Sequence, residues 1–280
     1  MTTDNESSRV YLSPLLKVRS YANFCTQLEG ILHKYQIETH YLPHTRDIWC
    51  RDFMPVQVEK NRYVAYRYDP DYLQAKNYRK TKSYPDVIAQ EIGLQTSKTD
   101  FILDGGNIIR MKDFAVMTDK AVAENKPFYN KQELTEALKQ LFFVKDILWI
   151  PWDKTEPFGH ADGMVRTIDE KRLLVHGYLA ADPFYDPFFA QLKENGIGWE
   201  LLSFGNPEPD PEENWIYLNY LQTKNLLLIP QLGSEYDRVA LDRIKELFQA
   251  YDLANHIATI DVRPLLVEGG GLNCISWTVI

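Results

Sequence analysis

The sequence predicts an α/β fold of five similar units around one axis, as in a five-bladed propeller. Helical and strand-like segments alternate along all 280 residues. The segments that carry polar motifs begin at intervals of 55, 56, 54 and 54 residues, at Trp49, Asp104, His160, Asn214 and Glu268. Alternation occurs in any α/β protein, but a period this regular is typical of a repeat protein. Radial packing would bring the equivalent point of each unit to the axis.

Each unit consists of a helix followed by strands. Apolar residues at helical spacing predict one helix per unit, over residues 20–35, 84–92, 130–142, 186–195 and 235–250. Segments rich in β-branched and aromatic residues predict the strands, over residues 38–42, 48–58, 62–68, 99–103, 107–111, 114–118, 146–150, 164–168, 172–177, 199–204, 215–220, 225–230, 256–260 and 272–280. The last unit lacks one strand. We predict that residues 9–13 supply it, so that the chain closes on itself.

Composition and charge narrow the class of protein. The 45% hydrophobic and 25% charged residues are ordinary for a globular protein. We predict a single domain over residues 1–280, with residues 1–8 as a flexible tail. The net charge of −8, without a basic patch, argues against a nucleic-acid partner. No apolar run approaches the roughly 18 residues that would indicate a membrane span, so we expect no membrane partner.

The cysteines and the polar start of the chain bear on the compartment. Cys25, Cys50 and Cys274 are too few for a disulfide framework and show no Cys-x-x-Cys spacing, which favours a reducing compartment. Residues 1–8 lack the basic end and apolar centre of a signal peptide. We therefore expect the protein to be cytoplasmic, and we interpret Cys25 and Cys50 as apolar core residues.

Cys274 is the candidate nucleophile. It follows the glycine run at 269–271, which lets backbone approach closely, and it lies in the predicted strand 272–280. A thiol reacts as its thiolate, so Cys274 needs a base or a nearby positive charge. A bound cation could help to supply that charge. The alternative is that Cys274 is a small apolar residue of a core strand.

His160 and Asp162 are the candidate proton-transfer pair. One residue separates them, so on a strand both side chains would point to the same face. Histidine suits proton transfer near neutral pH, and a carboxylate beside it can orient the ring or bind a guanidinium group. The alternatives are a solvated loop and a fragment of a metal site.

Further acidic and aromatic residues lie near the same point of their repeats. Asp52 could bind guanidinium nitrogens in plane, Asp104 could face the ligand, and Trp49 could stack on the cation. Glu268 matches Asp104 in the repeat, since each precedes two glycines. The alternatives are an ion pair between Arg51 and a neighbouring acid, a core position for Trp49, and a turn at Asp104.

Metal ligands usually show closely spaced pairs such as His-x-x-x-His or Cys-x-x-Cys. The sequence contains no Cys-x-x-Cys pair, and its one His-x-x-x-His pair, His40 and His44, includes none of the candidate site residues. We therefore predict no metal and no other cofactor.

Four motifs together resemble those of the agmatine deiminases and the bacterial-type peptidylarginine deiminases, in the guanidine-modifying, or pentein, superfamily. They are Trp49-Cys-Arg-Asp-Phe-Met-Pro55, Leu103-Asp-Gly-Gly-Asn107, Gly159-His-Ala-Asp162 and the segment 268–276. The resemblance extends from about residue 40 to the C terminus. It implies the five-bladed α/β propeller known as the pentein fold, in agreement with the period.

The resemblance also implies roles for the residues at the motif positions. Cys274 is similar to the family nucleophile, His160 to its general acid and base, and Asp52 and Asp162 to the two carboxylates that hold the guanidinium group. The implied reaction begins with attack by Cys274 on the guanidinium carbon, while His160 protonates the departing ammonia. Water activated by His160 then cleaves the covalent thiouronium intermediate and gives a ureido product, with no cofactor.

The sequence departs from the family pattern around the expected pocket. Asp104 stands where the family usually has Glu, Gly163 replaces a common Asn, and Met54 replaces a common Gly. The family often reads Gly-Gly-Gly-Asn-Ile-His-Cys. Aligned on the cysteine, this chain has Glu268, Gly271 and Asn273 at the first, fourth and sixth of these places. We treat Asp104, Asn273, Glu268 and Trp49 as candidate substrate-binding residues.

The expected function is hydrolytic deimination of agmatine, arginine or peptidyl-arginine. Two alternatives remain on the same fold: a methylarginine hydrolase or amidinotransferase, and a catalytically silent protein that binds a guanidinium ligand or a partner protein. Aromatic residues in the segments 69–84 and 182–189 could form a lid over the site or an interface, so an oligomer is possible.

Overall fold

The computed structural model describes residues 1–155, 158–251 and 255–280. Within these residues the strands form five three-stranded sheets. The strands are β1 (Arg9–Leu12), β2 (Glu38–Tyr41), β3 (Val56–Glu59), β4 (Arg62–Arg67), β5 (Thr96–Ile102), β6 (Ile109–Arg110), β7 (Phe114–Thr118), β8 (Asp146–Ile150), β9 (Val165–Asp169), β10 (Arg172–His176), β11 (Gly198–Leu202), β12 (Leu221–Gln222), β13 (Leu227–Gln231), β14 (Ile257–Asp261) and β15 (Trp277–Val279). The α-helices are α1 (Ala22–Lys34), α2 (Cys50–Phe53), α3 (Lys76–Arg79), α4 (Pro85–Glu91), α5 (Lys120–Asn125), α6 (Lys131–Phe142), α7 (Gly177–Ala181), α8 (Asp186–Glu194), α9 (Tyr236–Leu247) and α10 (Arg263–Leu266).

All five sheets share one topology. The middle strand pairs antiparallel with one neighbour and parallel with the other, as β4 does with β3 and β5. A parallel pair needs a crossover connection, usually a helix, and each sheet has one between its parallel strands: α1, α4, α6, α8 or α9. Five repeats of this unit confirm the predicted five-bladed α/β propeller.

The helix α6 illustrates how local sequence defines an element. The side chain of Asn130 accepts a hydrogen bond from the backbone N–H of Glu133, and the Glu133 carboxylate accepts one from the backbone N–H of Asn130. This capping box satisfies two N–H groups at the start of the helix. Leu134, Leu138 and Phe142 recur at a spacing of four and are fully buried. The helix therefore packs one apolar face on its sheet.

The fifth sheet joins the two ends of the chain. In it β1 pairs antiparallel with β15, with Arg9 opposite Val279, and parallel with β2. The prediction that residues 9–13 supply the missing strand is therefore confirmed. Closure of the ring depends on this pairing.

A short helix or tight turn precedes the first strand of each sheet, and at three of these places the sequence predicted a strand. Backbone groups bond locally there, as Met54 N–H does to the Cys50 carbonyl at 3.2 Å and Ser276 N–H to the Asn273 carbonyl at 3.1 Å. The strand predictions for 48–58, 215–220 and 272–280 are wrong at these points, and Cys274, His160 and Asp162 lie in turns or loops. The five turns are α2, the 3₁₀ helices Gly105–Asn107 and Trp215–Leu218, and the turns at 161–164 and 272–275.

Residues 1–8 are not the flexible tail that the sequence predicted. Thr2 N–H donates to the Val58 carbonyl at 3.1 Å, and Ser8 N–H donates to the Val279 carbonyl at 2.9 Å. Asp4–Glu6 forms a 3₁₀ helix. The segment is ordered because the carboxylate of Asp4 reaches buried arginines, as described below.

The second residue of each first strand is polar and buried. Arg110 donates to the Thr278 hydroxyl at 3.0 Å, so the first strands of different sheets meet. The first strands therefore surround a common axis, and the turns that precede them meet at one end of it. The five residues, at intervals of 53, 56, 56 and 56, are Gln57, Arg110, Arg166, Gln222 and Thr278.

No helix in the part of the chain that the structure describes is long and apolar enough to cross a bilayer.

Candidate active site

Cys274 lies in the turn 272–275 and is buried, with 6% of its surface exposed. Its Sγ atom is 3.3 Å from Asn219 Oδ1. The same Asn219 oxygen accepts hydrogen bonds from the backbone N–H groups of Asn273 and Cys274, at 3.0 and 3.2 Å. Asn219 therefore holds the turn and contacts the thiol.

Asp162 lies on another side of the thiol. Its Oδ2 atom is 3.5 Å from Cys274 Sγ and accepts a hydrogen bond from Asn273 Nδ2 at 2.7 Å. The backbone N–H of Asp162 donates to the Gly106 carbonyl at 3.1 Å. Residues from three repeats thus meet at the thiol.

His160 lies between two further carboxylates. Its Nε2 atom is 3.0 Å from Asp104 Oδ2, and its Nδ1 atom is 3.9 Å from Asp52 Oδ1. The first pair of atoms is close enough for a hydrogen bond but is not aligned for one, and the second pair is too far apart, so both contacts are ion pairs. The hydroxyl of Tyr72 donates a hydrogen bond to the same Asp104 oxygen. His160, Asp52, Asp104, Asp162 and Cys274 are thus drawn from four repeats, as the period predicted.

Several buried polar atoms here lack a hydrogen-bond partner among the described residues. They are Asp52 Oδ1, Asp104 Oδ1, His160 Nε2 and Asn219 Nδ2. Most buried polar atoms in proteins are paired, so such a concentration needs an explanation. Two of these atoms are carboxylate oxygens, which can only accept hydrogen bonds when ionised. The cluster is suited to a ligand with several N–H donors.

The electrostatics of the site follow from three carboxylates in a buried space. Burial would lower the pKa of His160, but Asp104 and Asp52 outweigh it and raise that pKa to about 10. Burial, and then the charge of Asp104, raises the pKa of Asp52. Burial, followed by Asp162 and Asp52, raises the pKa of the Cys274 thiol. Without a ligand the histidine is therefore cationic and the cysteine is a neutral thiol.

Two glycines allow the site to close around its polar groups. A Cβ atom on Gly106 would lie 2.6 Å from His160 Nδ1 and 2.8 Å from Asp52 Oδ1. A Cβ atom on Gly270 would lie 2.1 Å from the ring of Trp49. Any larger residue would displace these side chains. Trp49, half-buried against Gly270, is thereby fixed beside the nucleophile turn.

Aromatic side chains cover the acidic groups. The ring of Tyr72 packs edge to face on that of Phe158, with 5.2 Å between the ring centroids. The ring centroids of Phe158 and His160 are 6.0 Å apart. Lys120 Nζ joins the two segments, since it pairs with Asp71 at 2.8 Å and donates to the Phe158 carbonyl at 3.1 Å. Part of the segment 69–84 therefore lies over the site, as the lid interpretation requires.

Glu268 is the predicted site residue that the structure does not bring to this cluster. Glu268 is exposed, and its carboxylate lies beside the hydroxyl of Tyr21. Burial, and then that carboxylate, raises the pKa of Tyr21. The glycine that follows Glu268 turns the chain with a φ of 85°, which separates its side chain from Cys274.

Sequence reasoning missed Asn219 and Tyr72. Asn219 precedes Asn273 by 54 residues, one period of the repeat. The fourth repeat was recognised from Asn214, but no functional residue was assigned to it, although the period could have identified Asn219. Tyr72 lies in an aperiodic loop, and only the structure relates it to Asp104.

Asp52, Asp104 and His160 could also hold a cation. One ligand atom from each lies within 4.8 Å of the others. The pKa of the histidine favours its protonated form, which cannot bind a metal until it loses the proton. The absence of a metal remains a prediction, and a chelator tests it below.

The propeller and the acidic site with its thiol define the class, an enzyme of the pentein fold. Residues 10–279 match the model of the Porphyromonas-type peptidyl-arginine deiminase family, and the chain belongs to that family. Membership confirms the prediction of a hydrolase that acts on C–N bonds of amidines, with deimination of a guanidine group as its reaction.

Individual relatives are distant. A protein of Mycoplasma mycoides subsp. mycoides that bears the provisional name agmatine deiminase is 23% identical, over 82% of this chain and 74% of its own. Agmatine deiminase of C. jejuni has 21% identity and a TM-score of 0.69, covering 99% of this chain and 94% of its own. DDAH from Pseudomonas aeruginosa, solved with citrulline, has 11% identity and a TM-score of 0.62, covering 98% of this chain and all of its own. At these identities the structural likeness concerns the fold.

Proposed function

We propose that the chain deiminates a small alkylguanidinium substrate of the agmatine type through a covalent intermediate on Cys274. The observation that carries the proposal is the set of unpaired acceptors beside a buried thiol. A guanidinium group offers five N–H donors in one plane and a positive charge. It would satisfy the unpaired oxygen of Asp52, pair with Asp162 on the other side of the thiol, and place its carbon beside the sulfur.

The bound cation activates the nucleophile. Asp162 and Asp52 raise the pKa of the Cys274 thiol in the ligand-free site, after burial. A guanidinium group between these carboxylates cancels their charge, so the thiol loses its proton to solvent as the substrate binds. The enzyme thus forms its thiolate only when an electrophile is next to it.

The reaction proceeds in two halves. The thiolate sulfur forms a bond to the guanidinium carbon, and His160 gives its proton to the departing nitrogen, which leaves as ammonia. A thiouronium ester of Cys274 remains. The neutral His160 then takes a proton from water as the water oxygen attacks that carbon. Cleavage of the C–S bond releases the thiolate and, after loss of a proton, the ureido product.

The cover over the site favours a small substrate over an arginine in a folded protein. Tyr72 donates to Asp104, and its ring packs with Phe158 above His160. A polypeptide on both sides of the reacting side chain would have to displace this lid. The names of the relatives from Mycoplasma mycoides subsp. mycoides and C. jejuni also support agmatine. Peptidyl-arginine, which the family description names, is the competing substrate.

The test compares wild type, Cys274→Ala and Cys25→Ala on agmatine, free arginine, an arginine peptide and dimethylarginine, with ammonia and ureido product measured. Cys25 is equally buried in α1, so its variant controls for loss of a core thiol. We expect turnover of agmatine, an unchanged Cys25→Ala, and a loss of about 10⁴-fold or more in Cys274→Ala. Mass spectrometry of a quenched reaction should show the adduct on Cys274, and a chelator should leave the rate unchanged.

Each of the other outcomes would indicate a different function. Release of methylated amine from dimethylarginine would indicate a methylarginine hydrolase, and transfer to an added amine would indicate an amidinotransferase. Binding of agmatine without product would indicate a silent binding protein. Preference for the peptide would show that the lid opens for a polypeptide.

A further inference from the structure

A second cluster of charges lies on the axis next to the active-site turns, at the level where the first strands of the sheets begin. Asp4 accepts a hydrogen bond from Arg110 and lies 3.6 Å from Arg51 and 3.4 Å from Arg166. The Thr278 hydroxyl donates to Asp4 at 3.0 Å and accepts from two of the arginines. We call these five residues the axial cluster. Its only carboxylate comes from the N-terminal segment.

Arg51 connects the axial cluster to the nucleophile turn. Its backbone N–H donates to the Cys274 carbonyl at 3.0 Å, and its Nε atom contacts the Asn273 carbonyl at 3.5 Å. The terminal Nη2 atom of the same side chain faces Asp4 and Thr278. The guanidinium therefore links Asp4 to the Asn273 carbonyl, and the backbone of the same residue is bonded to the Cys274 carbonyl.

Arg166 connects the cluster to the second turn that touches the thiol. Its Nη1 atom donates to the carbonyls of Leu218 and Tyr220, at 3.2 and 2.8 Å, while its Nη2 atom faces Asp4. Leu218 and Tyr220 flank Asn219, whose side chain contacts Cys274. Two arginines thus extend from one carboxylate to the two turns that meet at the nucleophile.

We propose that Asp4 is a positioning residue for the reaction, which fixes Arg51 and Arg166 so that the turns bearing Cys274 and Asn219 keep their separation. The proposal rests on the function proposed above. The carbonyls of Asn273, Leu218 and Tyr220 do not need a charged donor. A guanidinium that bridges a carboxylate and such a carbonyl, however, is held in one rotamer.

Loss of the Asp4 charge would release these contacts. Burial would raise the pKa of Asp4, yet Arg110, Arg51 and Arg166 outweigh it and hold that pKa far below its usual range. The carboxylate is therefore ionised at neutral pH. Without the Asp4 carboxylate, the three buried guanidinium groups repel one another. This repulsion favours rotamers that point away from the axis. A shift of about 1 Å at a nucleophile can cost about 100-fold in rate.

The experiment compares Asp4→Asn with Asp4→Glu and with the control Glu6→Gln. Glu6 belongs to the same 3₁₀ helix and is exposed, so its variant removes the same charge outside the cluster. We expect Asp4→Asn to lower kcat by about 10- to 100-fold with KM changed by less than about threefold. Asp4→Glu should recover part of kcat, and Glu6→Gln should match wild type. The rate of Cys274 alkylation by iodoacetamide, measured on its peptide, should change most in Asp4→Asn, less in Asp4→Glu, and not in Glu6→Gln.

A chemical rescue adds a second readout. Asp4→Gly leaves space for a small carboxylate beside the arginines, so formate should raise its kcat in a saturable manner, whereas chloride at equal ionic strength should not. A purely structural role predicts a lower melting temperature for Asp4→Asn with normal kcat and alkylation, and that result would overturn the proposal.

Two further outcomes remain decisive. If wild type releases no ammonia, the proposed function fails, but the alkylation rates still test the link from Asp4 to Cys274. If Asp4→Asn does not fold, Arg166→Lys replaces it, because lysine keeps the charge but cannot bridge Asp4 and both carbonyls. A wild-type kcat and alkylation rate in that variant would also overturn the proposal.

Discussion

Two charged clusters share the propeller axis, and they differ in how their charges are satisfied. In the axial cluster the carboxylate of Asp4 has a guanidinium or hydroxyl partner on each oxygen. In the active site, Asp52 and Asp104 each keep an oxygen without a hydrogen-bond partner among the described residues. Buried polar groups cost free energy unless they are paired. The paired cluster therefore supports the fold, and the unpaired one is completed by a ligand.

The comparison predicts that a variant of the unpaired active-site acids loses activity but gains stability. Asp52→Asn should show the largest effect of this kind. It removes a carboxylate that binds the substrate cation, so kcat/KM should fall by about 100-fold, equivalent to about 3 kcal/mol. The melting temperature should rise, because a buried acid close to Asp104 no longer carries charge. Ammonia release and thermal unfolding measure the two effects. The half-buried surface acid Asp169, paired with Arg172, provides the control variant Asp169→Asn. A less stable Asp52→Asn would contradict the distinction.

Arg110→Met tests the other cluster. It breaks a buried ion pair with Asp4, so the free energy of unfolding should fall by about 3 kcal/mol and the melting temperature by about 10 °C. The kcat of the folded fraction should stay close to wild type, since Arg110 does not contact either turn beside Cys274. The control Arg238→Met removes an arginine that is 91% exposed, and its melting temperature should not change. Equal stability of the two variants would show that the paired cluster is not structural.

Gly106→Ala sharpens the comparison without removing a charge. The new methyl group must push His160 and Asp52 apart, so we expect kcat to fall by about tenfold with a small change in the melting temperature. Gly30→Ala is the matched control, because a Cβ at Gly30, inside α1, meets no atom within 4 Å. That variant should be more stable by about 0.5–1 kcal/mol. Normal kinetics in Gly106→Ala would mean that the histidine position is not critical.

The last prediction concerns pH. The folded-state pKa of His160 is raised to about 10 from an ordinary value near 6.5. A raised pKa gives stability that is complete below about pH 6.5 and is lost as the pH rises through about 10. The melting temperature of wild type should therefore fall more steeply from pH 7 to pH 10 than that of His160→Gln. Parallel curves would show that the carboxylates do not hold the proton.

The period of the sequence predicted the five sheets and the meeting of residues that lie far apart in the chain. Local structure was less predictable, since the stretch around Cys274 looks like a strand from its apolar residues but closes a turn through backbone bonds at Asn273. The role of Asp4 was hidden because a single acid in a polar segment has no pattern. Its partners, Arg51 and Arg166, are brought to it by the closing of the ring. Asn219 was within reach, because it stands one period before Asn273.

The pairing of β1 with β15 has a consequence for the order of events in folding. It joins Arg9 to Val279, a contact across almost the whole chain, and such contacts are formed late because loop closure must precede them. Cys274 lies just before β15, and Asp4 lies just before β1. We therefore expect refolding chains to gain secondary structure well before their cysteine becomes shielded from a thiol reagent. Protection of Cys274 from the reagent would then show when the ring has closed. Activity would appear only with this last step of folding.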